Sequence, residues 1–474
     1  MDEMTFTAIG RERAVSLFHR AAERVPAYAD FLKKNGVHHT AICTWEDFQR
    51  VPQTDKKNYL RQYAISDLCW DGRLDDKTAI FSMTSGSTGQ PFYFPRSPAL
   101  DWQYSVALED FFSRSPIPAP HSTLVIITFG MGTWIAGTIT YRAVEIASER
   151  MQNKISILTP GIQKQQIFQI LQDLSPQFSE TVLMGYPPFI KDVLDEAEAL
   201  GIPLKKFGIR LVFAAEVFSE QFRDYVAEKC GMVDPHLHTM NIYGSADIGA
   251  MAVETPMSIA LRREALGNRA MFERLFGAIQ KIPTFAQFNP HFIQCESVGG
   301  ELLLSGDNVM PLIRYAIGDQ GSVLSWDEAR VCSADSSMFD GTAQLPFVSV
   351  YERSDFAVSL YGITLHPEII RNSLYDPWVQ EMLTGKFTVA TEYDEKTNQY
   401  LAAVFELRPG VAAVDGAAGE RLRAMLVDIL RQGSSEFYEL TQKIPDRQFI
   451  HIRFLPHEDP SYFAAGRKQK WVLR

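Results

Sequence analysis

The sequence contains few cysteines and no pattern that would pair them. Its 474 residues include five cysteines, which lie far apart and form no Cys-x-x-Cys pair. Neither a zinc knuckle nor a disulfide framework is therefore expected, and unpaired cysteines favour a reducing compartment. The first residues carry acid where a secretory signal would carry base. We therefore expect a cytoplasmic protein.

Positive charge is also scarce. The 46 Lys and Arg residues are outnumbered by 57 Asp and Glu residues, which gives a net charge of −11, and they form no basic block. Binding to a phosphate backbone needs a concentrated positive surface. Nucleic acid is therefore excluded as the main partner, and an anionic ligand would need local hydrogen-bond donors.

Hydrophobic runs long enough for a membrane span are missing as well. The longest uncharged stretch lies between His121 and Arg142, but it contains three glycines and five threonines. This composition favours a buried strand over residues 124–128, a glycine turn and a helix over a membrane helix. No membrane partner is expected.

The sequence is instead rich in apolar residues. It is 46% hydrophobic and 12% aromatic, which suffices to bury the cores of roughly three folding units at about 150 residues each. Apolar residues recur at helical spacing in residues 11–23, and Thr44 is placed to cap a helix. These features predict a helical preface over residues 1–75.

From residue 78 onward, strand-like runs alternate with helical stretches. This alternation predicts an α/β protein with a largely buried sheet. The predicted strands are residues 124–128, 182–185 and 209–214, and the predicted helices are residues 164–174 and 189–200. Residues 259–280 are predicted to form one helix, whose solvated face carries Arg262, Arg263, Arg269 and Arg274.

The C-terminal residues follow a smaller pattern. Strands are predicted over residues 386–392 and 399–407, a helix over 419–431 and a strand over 448–454. Such a βαβ-type unit can fold as a small domain. With a pattern change near residues 351–356, this predicts a body over residues 1–354 and a C-terminal domain over residues 355–474.

One short segment combines hydroxyl groups with glycine. It consists of Thr84, Ser85, Gly86, Ser87, Thr88 and Gly89. The glycines allow a tight turn, so N–H and O–H donors can face one concavity, which suits nucleotide phosphates. A Ser/Gly linker is the alternative. The apolar runs on both sides favour a loop between two strands.

This segment resembles the phosphate loop of the adenylate-forming superfamily, which includes acyl-CoA synthetases, luciferases and peptide-synthetase adenylation domains. Within that superfamily, the chain is most similar to the phenylacetate-CoA ligase branch. The other segments that carry the resemblance are residues 25–28, 51–56, 214–216, 241–247 and 311–319. The resemblance implies an α/β, multidomain enzyme with a large N-terminal body and a small, mobile α+β C-terminal domain.

The resemblance also assigns nucleotide-site roles. Besides the phosphate loop, the implied ATP-binding residues are Ala215, Glu216, Asn241, Tyr243, Gly244, Asp319 and Arg353. The Tyr243 ring suits adenine stacking, and a carboxylate such as Asp319 accepts two ribose hydroxyls. Asp247 stands where the family usually has Glu and would bind Mg²⁺, while Ala246 replaces a hydroxyl residue.

Other assignments concern the acid-binding pocket, the hinge and the catalytic lysine. The implied acid pocket contains Phe129, Trp134, Tyr186 and Pro187, whose aromatic rings suit an aryl or other hydrophobic acid, with core packing as the alternative. Asp355 is the implied hinge. The implied catalytic lysine is Lys468, with Lys470 as the alternative, and its ammonium would neutralise charge as the mixed anhydride forms.

The implied reaction is the ATP-dependent adenylation of a carboxylic acid to acyl-AMP and pyrophosphate, followed by acyl transfer to CoA as co-substrate. Two alternatives remain open. The adenylate is passed to an amine or a carrier-protein thiol, or the chain is a non-catalytic nucleotide-binding relic. A homodimer is also left open.

Overall fold

The structure is a computed structural model of the chain. It describes residues 2–75, 79–83, 92–132, 135–277, 279, 282–333, 336–351, 358–360, 363–365, 367–394, 399–443, 449–464 and 471–472.

Helices dominate the N-terminal residues, as predicted. They are α1 (Glu3–Arg24), α2 (Pro26–Lys34) and α3 (Trp45–Phe48). Thr44 caps α3, because its hydroxyl accepts the Asp47 N–H while the Asp47 carboxylate accepts the Thr44 N–H. The predicted helix over residues 11–23 and the Thr44 cap are therefore confirmed.

A two-stranded antiparallel hairpin follows the preface. It pairs β1 (Ile80–Met83) with β2 (Tyr93–Arg96), so that Met83 lies opposite Tyr93. The predicted phosphate loop connects these strands in the sequence and lies outside the described residues. The strand on each side of it is confirmed.

A mixed sheet of eleven strands forms the centre of the body. Its strands are β3 (Ser122–Ile127), β4 (Lys154–Leu158), β5 (Glu180–Gly185), β6 (Ile209–Ala214), β7 (Thr239–Ser245), β8 (Gly249–Val253), β9 (Thr284–Gln287), β10 (Ile293–Val298), β11 (Glu301–Gly306), β12 (Leu312–Leu324) and β13 (Phe347–Tyr351). The spatial order is β10-β11-β12-β13-β9-β8-β7-β6-β5-β3-β4. Strands β3 to β7 pair in parallel, and the remaining neighbours are antiparallel.

Helices cover this sheet. They are α4 (Pro98–Ser113), α5 (Ile135–Arg150), α6 (Lys164–Asp173), α7 (Pro187–Ala199), α8 (Glu220–Cys230), α9 (Pro235–His238), α10 (Pro256–Gly267), α11 (Arg269–Phe276) and α12 (Trp326–Arg330). Short 3-10 turns occur at His39–Ala41, Leu60–Gln62, Trp70–Gly72, Ser175–Gln177, Leu204–Lys206 and Ser336–Phe339. Because helices pack on it, a parallel strand such as β5 is buried throughout. The predicted strands and the helices near residues 164–174 and 189–200 are confirmed.

The C-terminal residues form a smaller α+β unit. It contains β14 (Val358–Leu360), β15 (Ile363–Leu365), α13 (Pro367–Ser373), α14 (Pro377–Gln380), β16 (Leu383–Tyr393), β17 (Gln399–Leu407), α15 (Gly416–Gly433), α16 (Ser435–Lys443) and β18 (Ile450–Leu455). Strand β17 pairs antiparallel with β16 and parallel with β18, and α15 lies between β17 and β18 in the sequence. The predicted βαβ-type unit is therefore confirmed. Within the described ranges, no helix is both long and apolar enough to cross a membrane.

The prediction of one helix with a solvated arginine face over residues 259–280 was wrong in part: Arg269 and Arg274 are exposed, but the residues do not form one helix. Two helices, α10 and α11, meet at Asn268, whose side chain accepts the Met271 N–H and starts the second helix. Arg262 is buried and pairs with Glu220 of α8, rather than lying on a solvated face. The acidic partner lies 42 residues earlier, so helical spacing alone could not reveal it.

Candidate active site

Several predicted site residues meet at one edge of the large sheet. Phe129 follows β3, Tyr186 follows β5, and Glu216 follows β6, while Tyr243 lies near the end of β7. Because the carboxyl ends of parallel strands share an edge, these segments gather there. The Phe129 and Tyr186 rings pack edge to face, with centroids 5.0 Å apart.

A hydrogen bond joins the two residues assigned to adenine and ribose. The Tyr243 hydroxyl donates to Asp319 Oδ2 over 2.7 Å. Asp319 lies in β12, which is separated from β7 by three strands in the sheet. This contact brings together two residues that lie 76 positions apart.

The loop after β6 approaches β7 through its backbone. The Asn241 side-chain amide donates to the Glu216 carbonyl oxygen over 3.2 Å. Ala215 has a positive φ of 73°, which is strained for a residue with a side chain and typical of functional turns. At position 244, an added Cβ would lie 2.9 Å from the Gly249 carbonyl oxygen of β8. The close approach of β8 therefore explains glycine at this position without a bound nucleotide.

The predicted acid-pocket residues differ in exposure. Phe129 is fully buried, whereas Tyr186 is half-buried above it, directly before Pro187 at the start of α7. Burial raises the pKa of Tyr186 to about 12, and the nearby Glu216 carboxylate adds to this effect. The Tyr186 hydroxyl therefore stays protonated at neutral pH. Phe129 supports that ring from the core side.

Asp247 is paired with a lysine that the sequence analysis did not assign to the site. Lys56 Nζ lies 2.9 Å from Asp247 Oδ2 and 3.3 Å from Oδ1. The Tyr315 hydroxyl also donates to Oδ2, over 2.6 Å. The Asp247 side chain is only 3% exposed.

This arrangement does not fit the Mg²⁺ ion assigned to Asp247. Mg²⁺ is bound through free carboxylate oxygens, and here both Asp247 oxygens already contact the Lys56 ammonium. Across the described ranges, His, Cys, Asp and Glu side chains form no group of three that could hold a metal ion.

The C-terminal unit reaches the same edge through Arg371 of α13. Its guanidinium donates to the Val217 carbonyl oxygen and lies 3.7 Å from Glu216 Oε2. The guanidinium carbon also lies 4.6 Å from the ring centroid of Trp471. Trp471 is anchored in the unit, because its carbonyl oxygen accepts the Val389 N–H over 2.9 Å.

Trp471 directly follows the residues that include the candidate catalytic lysines. Lys468 and Lys470 lie outside the described residues. Nine other residues with assigned roles also lie outside the described ranges: Thr84, Ser85, Gly86, Ser87, Thr88, Gly89, Trp134, Arg353 and Asp355. Their roles stay predictions.

Three site residues were missed by the sequence analysis: Lys56, Tyr315 and Arg371. Lys56 ends residues 51–56 and Tyr315 lies within residues 311–319, two segments that carry the family resemblance, so each had a signal. Arg371 had none, since its contacts depend on how the C-terminal unit packs against the body.

Similar proteins were found among solved structures. No protein-family model matches the sequence, and no curated protein matches it either. 2-Hydroxyisobutyryl-CoA ligase in its postadenylation state, in complex with R3-HIB-AMP, matches with a TM-score of 0.67 and 16% identity. The match covers 100% of this chain and 90% of that one.

The same ligase also matches in a second state. In the thioesterification state, in complex with 2-HIB-AMP and CoA, it gives a TM-score of 0.53 at 16% identity, over 99% of this chain and 89% of that one. Both matches span nearly the whole chain. The chain therefore has the adenylate-forming enzyme fold.

Proposed function

We propose that the protein is an ATP-dependent acid ligase that forms an acyl-AMP and then transfers the acyl group to CoA. The observation that carries this proposal is the contact between Tyr243 and Asp319 at the carboxyl edge of the parallel strands. A ring for adenine and a fixed carboxylate for ribose hydroxyls are what a nucleotide site requires there. The fold shared with an acyl-AMP-bound CoA ligase supports it.

The reaction balances in two steps. A carboxylate oxygen attacks the α-phosphorus of ATP, the bond to the β-phosphate breaks, and pyrophosphate leaves. The CoA thiol gives up its proton to solvent and its sulfur attacks the acyl carbon, the bond between that carbon and the phosphate oxygen breaks, and AMP leaves. Positioning and charge neutralisation provide most of such catalysis, so no nucleophilic side chain is needed.

The remaining assigned residues serve the phosphates and the moving unit. Thr84, Ser85, Gly86, Ser87, Thr88 and Gly89 would bind phosphate oxygens through neutral donors. Arg353 would contact the ribose, and Asp355 would act as the hinge between a body over residues 1–354 and a cap over residues 355–474. Lys468, with Lys470 as the alternative, would neutralise the reacting carboxylate and α-phosphate. The anchoring of Trp471 beside Arg371 supports this role, because Arg371 also contacts the loop after β6.

The half-buried Tyr186 ring supports the proposed substrate class. A flat, uncharged ring beside the Glu216 loop suits an aryl or other hydrophobic acid. Buried free thiols, such as Cys69, Cys230 and Cys295, support a reducing, cytoplasmic location. An amine or a carrier-protein thiol remains the alternative acyl acceptor, and supplying each acceptor to preformed acyl-AMP distinguishes them.

Acid-dependent exchange of labelled pyrophosphate into ATP tests the adenylation step. We expect exchange with at least one aryl or hydrophobic acid. Asp319→Asn removes a charged acceptor worth about 1.5–3 kcal/mol, so kcat/KM for ATP should fall roughly 10- to 100-fold. Asp327→Asn, at an exposed carboxylate outside the site, is the matched control and should leave exchange unchanged. Folded protein that gives no exchange with any acid would contradict the proposal.

A further inference from the structure

Lys56 is held in place by a short pairing between the N-terminal segment and β12. Thr54 forms an isolated parallel bridge with Tyr315. The Thr54 N–H donates to the Arg314 carbonyl oxygen over 3.1 Å, and the Ala316 N–H donates to the Thr54 carbonyl oxygen over 2.7 Å. The backbone two residues before Lys56 is therefore fixed to the strand that also carries Tyr315.

The Arg314 side chain strengthens this attachment. Its guanidinium donates to the Val51 carbonyl oxygen, and its Nε lies 3.3 Å from Glu296 Oε2 in β10. Arg314 has a positive φ of 44°, a conformation that a side chain disfavours. The sheet thus holds strain at the point where it binds the N-terminal segment, which indicates that the position of this segment is built into the fold.

The Lys56 ammonium then supplies the charge that Asp247 requires. A carboxylate as buried as Asp247 is costly unless a cation and hydrogen bonds compensate it. Lys56 contacts both carboxylate oxygens, and the buried Tyr315 hydroxyl supplies a further donor. On its other side, Lys56 Nζ lies 5.8 Å from the ring centroid of Phe94 in the hairpin that carries the predicted phosphate loop.

We propose that Lys56 is the built-in cation of this site and keeps Asp247 closed to divalent metal ions in the nucleotide-free protein. This inference rests on the proposed function, because it concerns which cation balances the Asp247 carboxylate in the proposed nucleotide site. A divalent ion placed on Asp247 would face an ammonium that already contacts both oxygens, so it would be repelled. Lys56 is a positioning residue, because it acts through Asp247.

Manganese binding to the nucleotide-free protein tests the proposal without requiring activity. Mn²⁺ prefers the same oxygen ligands as Mg²⁺, and free Mn²⁺ is quantified by electron paramagnetic resonance. Lys56→Met removes the charge but keeps an unbranched side chain. We expect this variant to gain weak Mn²⁺ binding at Asp247, limited by the single carboxylate but at least about tenfold tighter than at the same position of the unmodified protein. Lys56→Met/Asp247→Asn should lose that site.

Two controls separate charge position from net charge and folding. Lys57→Met removes the neighbouring, exposed lysine and should gain no site. Lys56→Arg keeps a cation beside Asp247, so this variant should also bind no Mn²⁺ there. If Lys56→Met folds poorly, Lys56→Gln replaces it. Thermal unfolding gives a second readout, since Mn²⁺ should raise the Tm of the Lys56 variant but not of the unmodified protein.

Two outcomes would overturn the proposal. In the first, the unmodified protein binds Mn²⁺ at a site that Asp247→Asn abolishes. In the second, both neutral Lys56 variants fold and gain no site. Pyrophosphate exchange in the same preparations reports separately on the proposed function, so a failure of one inference is distinguishable from a failure of the other.

Discussion

Arg96, at the end of β2, joins both strands of the hairpin that carries the predicted phosphate loop to two helices. Its guanidinium donates to Asp101 Oδ1 over 2.9 Å, to Ser82 Oγ over 2.8 Å and to Thr138 Oγ1 over 3.3 Å. Arg96 and Asp101 are each 1% exposed. A single side chain therefore ties β1 and β2 to α4 and α5.

Removing Arg96 should destabilise the fold through the carboxylate that is left behind. Arg96→Met is expected to lower the free energy of unfolding by about 3–5 kcal/mol at pH 7, as measured by urea denaturation, because it strands a buried charge. Arg96→Met/Asp101→Asn should recover part of this loss. Arg50→Met, at a 79% exposed arginine, should change stability by less than about 0.5 kcal/mol.

The loss should also depend on pH. Burial raises the pKa of Asp101 even with Arg96 beside it, and removing the guanidinium raises that pKa further. An acid whose pKa is higher in the folded state destabilises the fold as pH rises through that pKa. The variant should therefore lose least near about pH 4 and most near about pH 7. A loss that does not vary with pH would contradict the stranded-charge explanation.

Sequence motifs predicted some of the residues of the candidate site, whereas contacts between residues far apart in the sequence became visible only in the folded structure. Tyr243 and Asp319 were assigned from motifs, and the structure joins them. The pairing of Lys56 with Asp247 was not predicted, because the two lie 191 residues apart and no local pattern relates them. Arg96 was missed for a related reason: its burial depends on how two helices pack on the hairpin.

Helix α1 packs its apolar side on the body, so the N-terminal helices share a core with the large sheet. Phe18 is fully buried, and its ring lies edge to face with Tyr28 and Phe48, at centroid distances of 6.1 Å for both. The same apolar cluster includes Ile293 and Leu302 of the sheet. The preface is therefore part of the body's core rather than an appendage.

Truncating Phe18 should destabilise the preface and the body together. Phe18→Ala should cost about 3–5 kcal/mol by creating a cavity. We expect a single urea transition, shifted to lower denaturant, in both far-ultraviolet circular dichroism and tryptophan fluorescence. Met4→Ala, at an 80% exposed side chain of the same helix, is the control and should change stability by less than about 0.5 kcal/mol. An early separate transition, with the main one unmoved, would show that the preface unfolds independently.

The periodicity of apolar residues predicted that a helix or strand exists better than it predicted where the element ends or which of its residues are buried. The strand predicted over residues 182–185 is the last part of β5, because the polar Glu180 and Thr181 at its start carry no apolar signal yet are buried. Helix α15 extends beyond its predicted residues 419–431, since Asp415 caps it three residues before Ala418. The folded structure is needed to show that such polar residues are buried or cap a helix.

A buried ion pair and a hydrogen bond connect the body and the C-terminal unit. Lys386 of β16 lies 2.6 Å from Asp192 Oδ2 of α7 and 3.3 Å from Glu406 Oε2 of β17. Lys191 Nζ also donates to the Thr384 carbonyl oxygen over 2.9 Å. Burial alone would lower the pKa of Lys386, but Asp192 and Glu406 outweigh it and raise that pKa. The pair is therefore retained below the ordinary lysine pKa and is lost only as pH rises through the higher folded-state pKa.

Lys386→Met should destabilise the protein through the carboxylates that it leaves behind. The substitution leaves Asp192 and Glu406 buried without their shared cation, so the free energy of unfolding should fall by about 3 kcal/mol or more at pH 7, as measured by urea denaturation. Lys386→Met/Asp192→Asn should recover part of this loss, because one of the stranded charges is removed. Arg423→Met, which removes a charge from a surface pair within α15, is the control and should change stability by less than about 0.5 kcal/mol. A Lys386→Met protein as stable as the unmodified one would contradict the stranded-charge explanation.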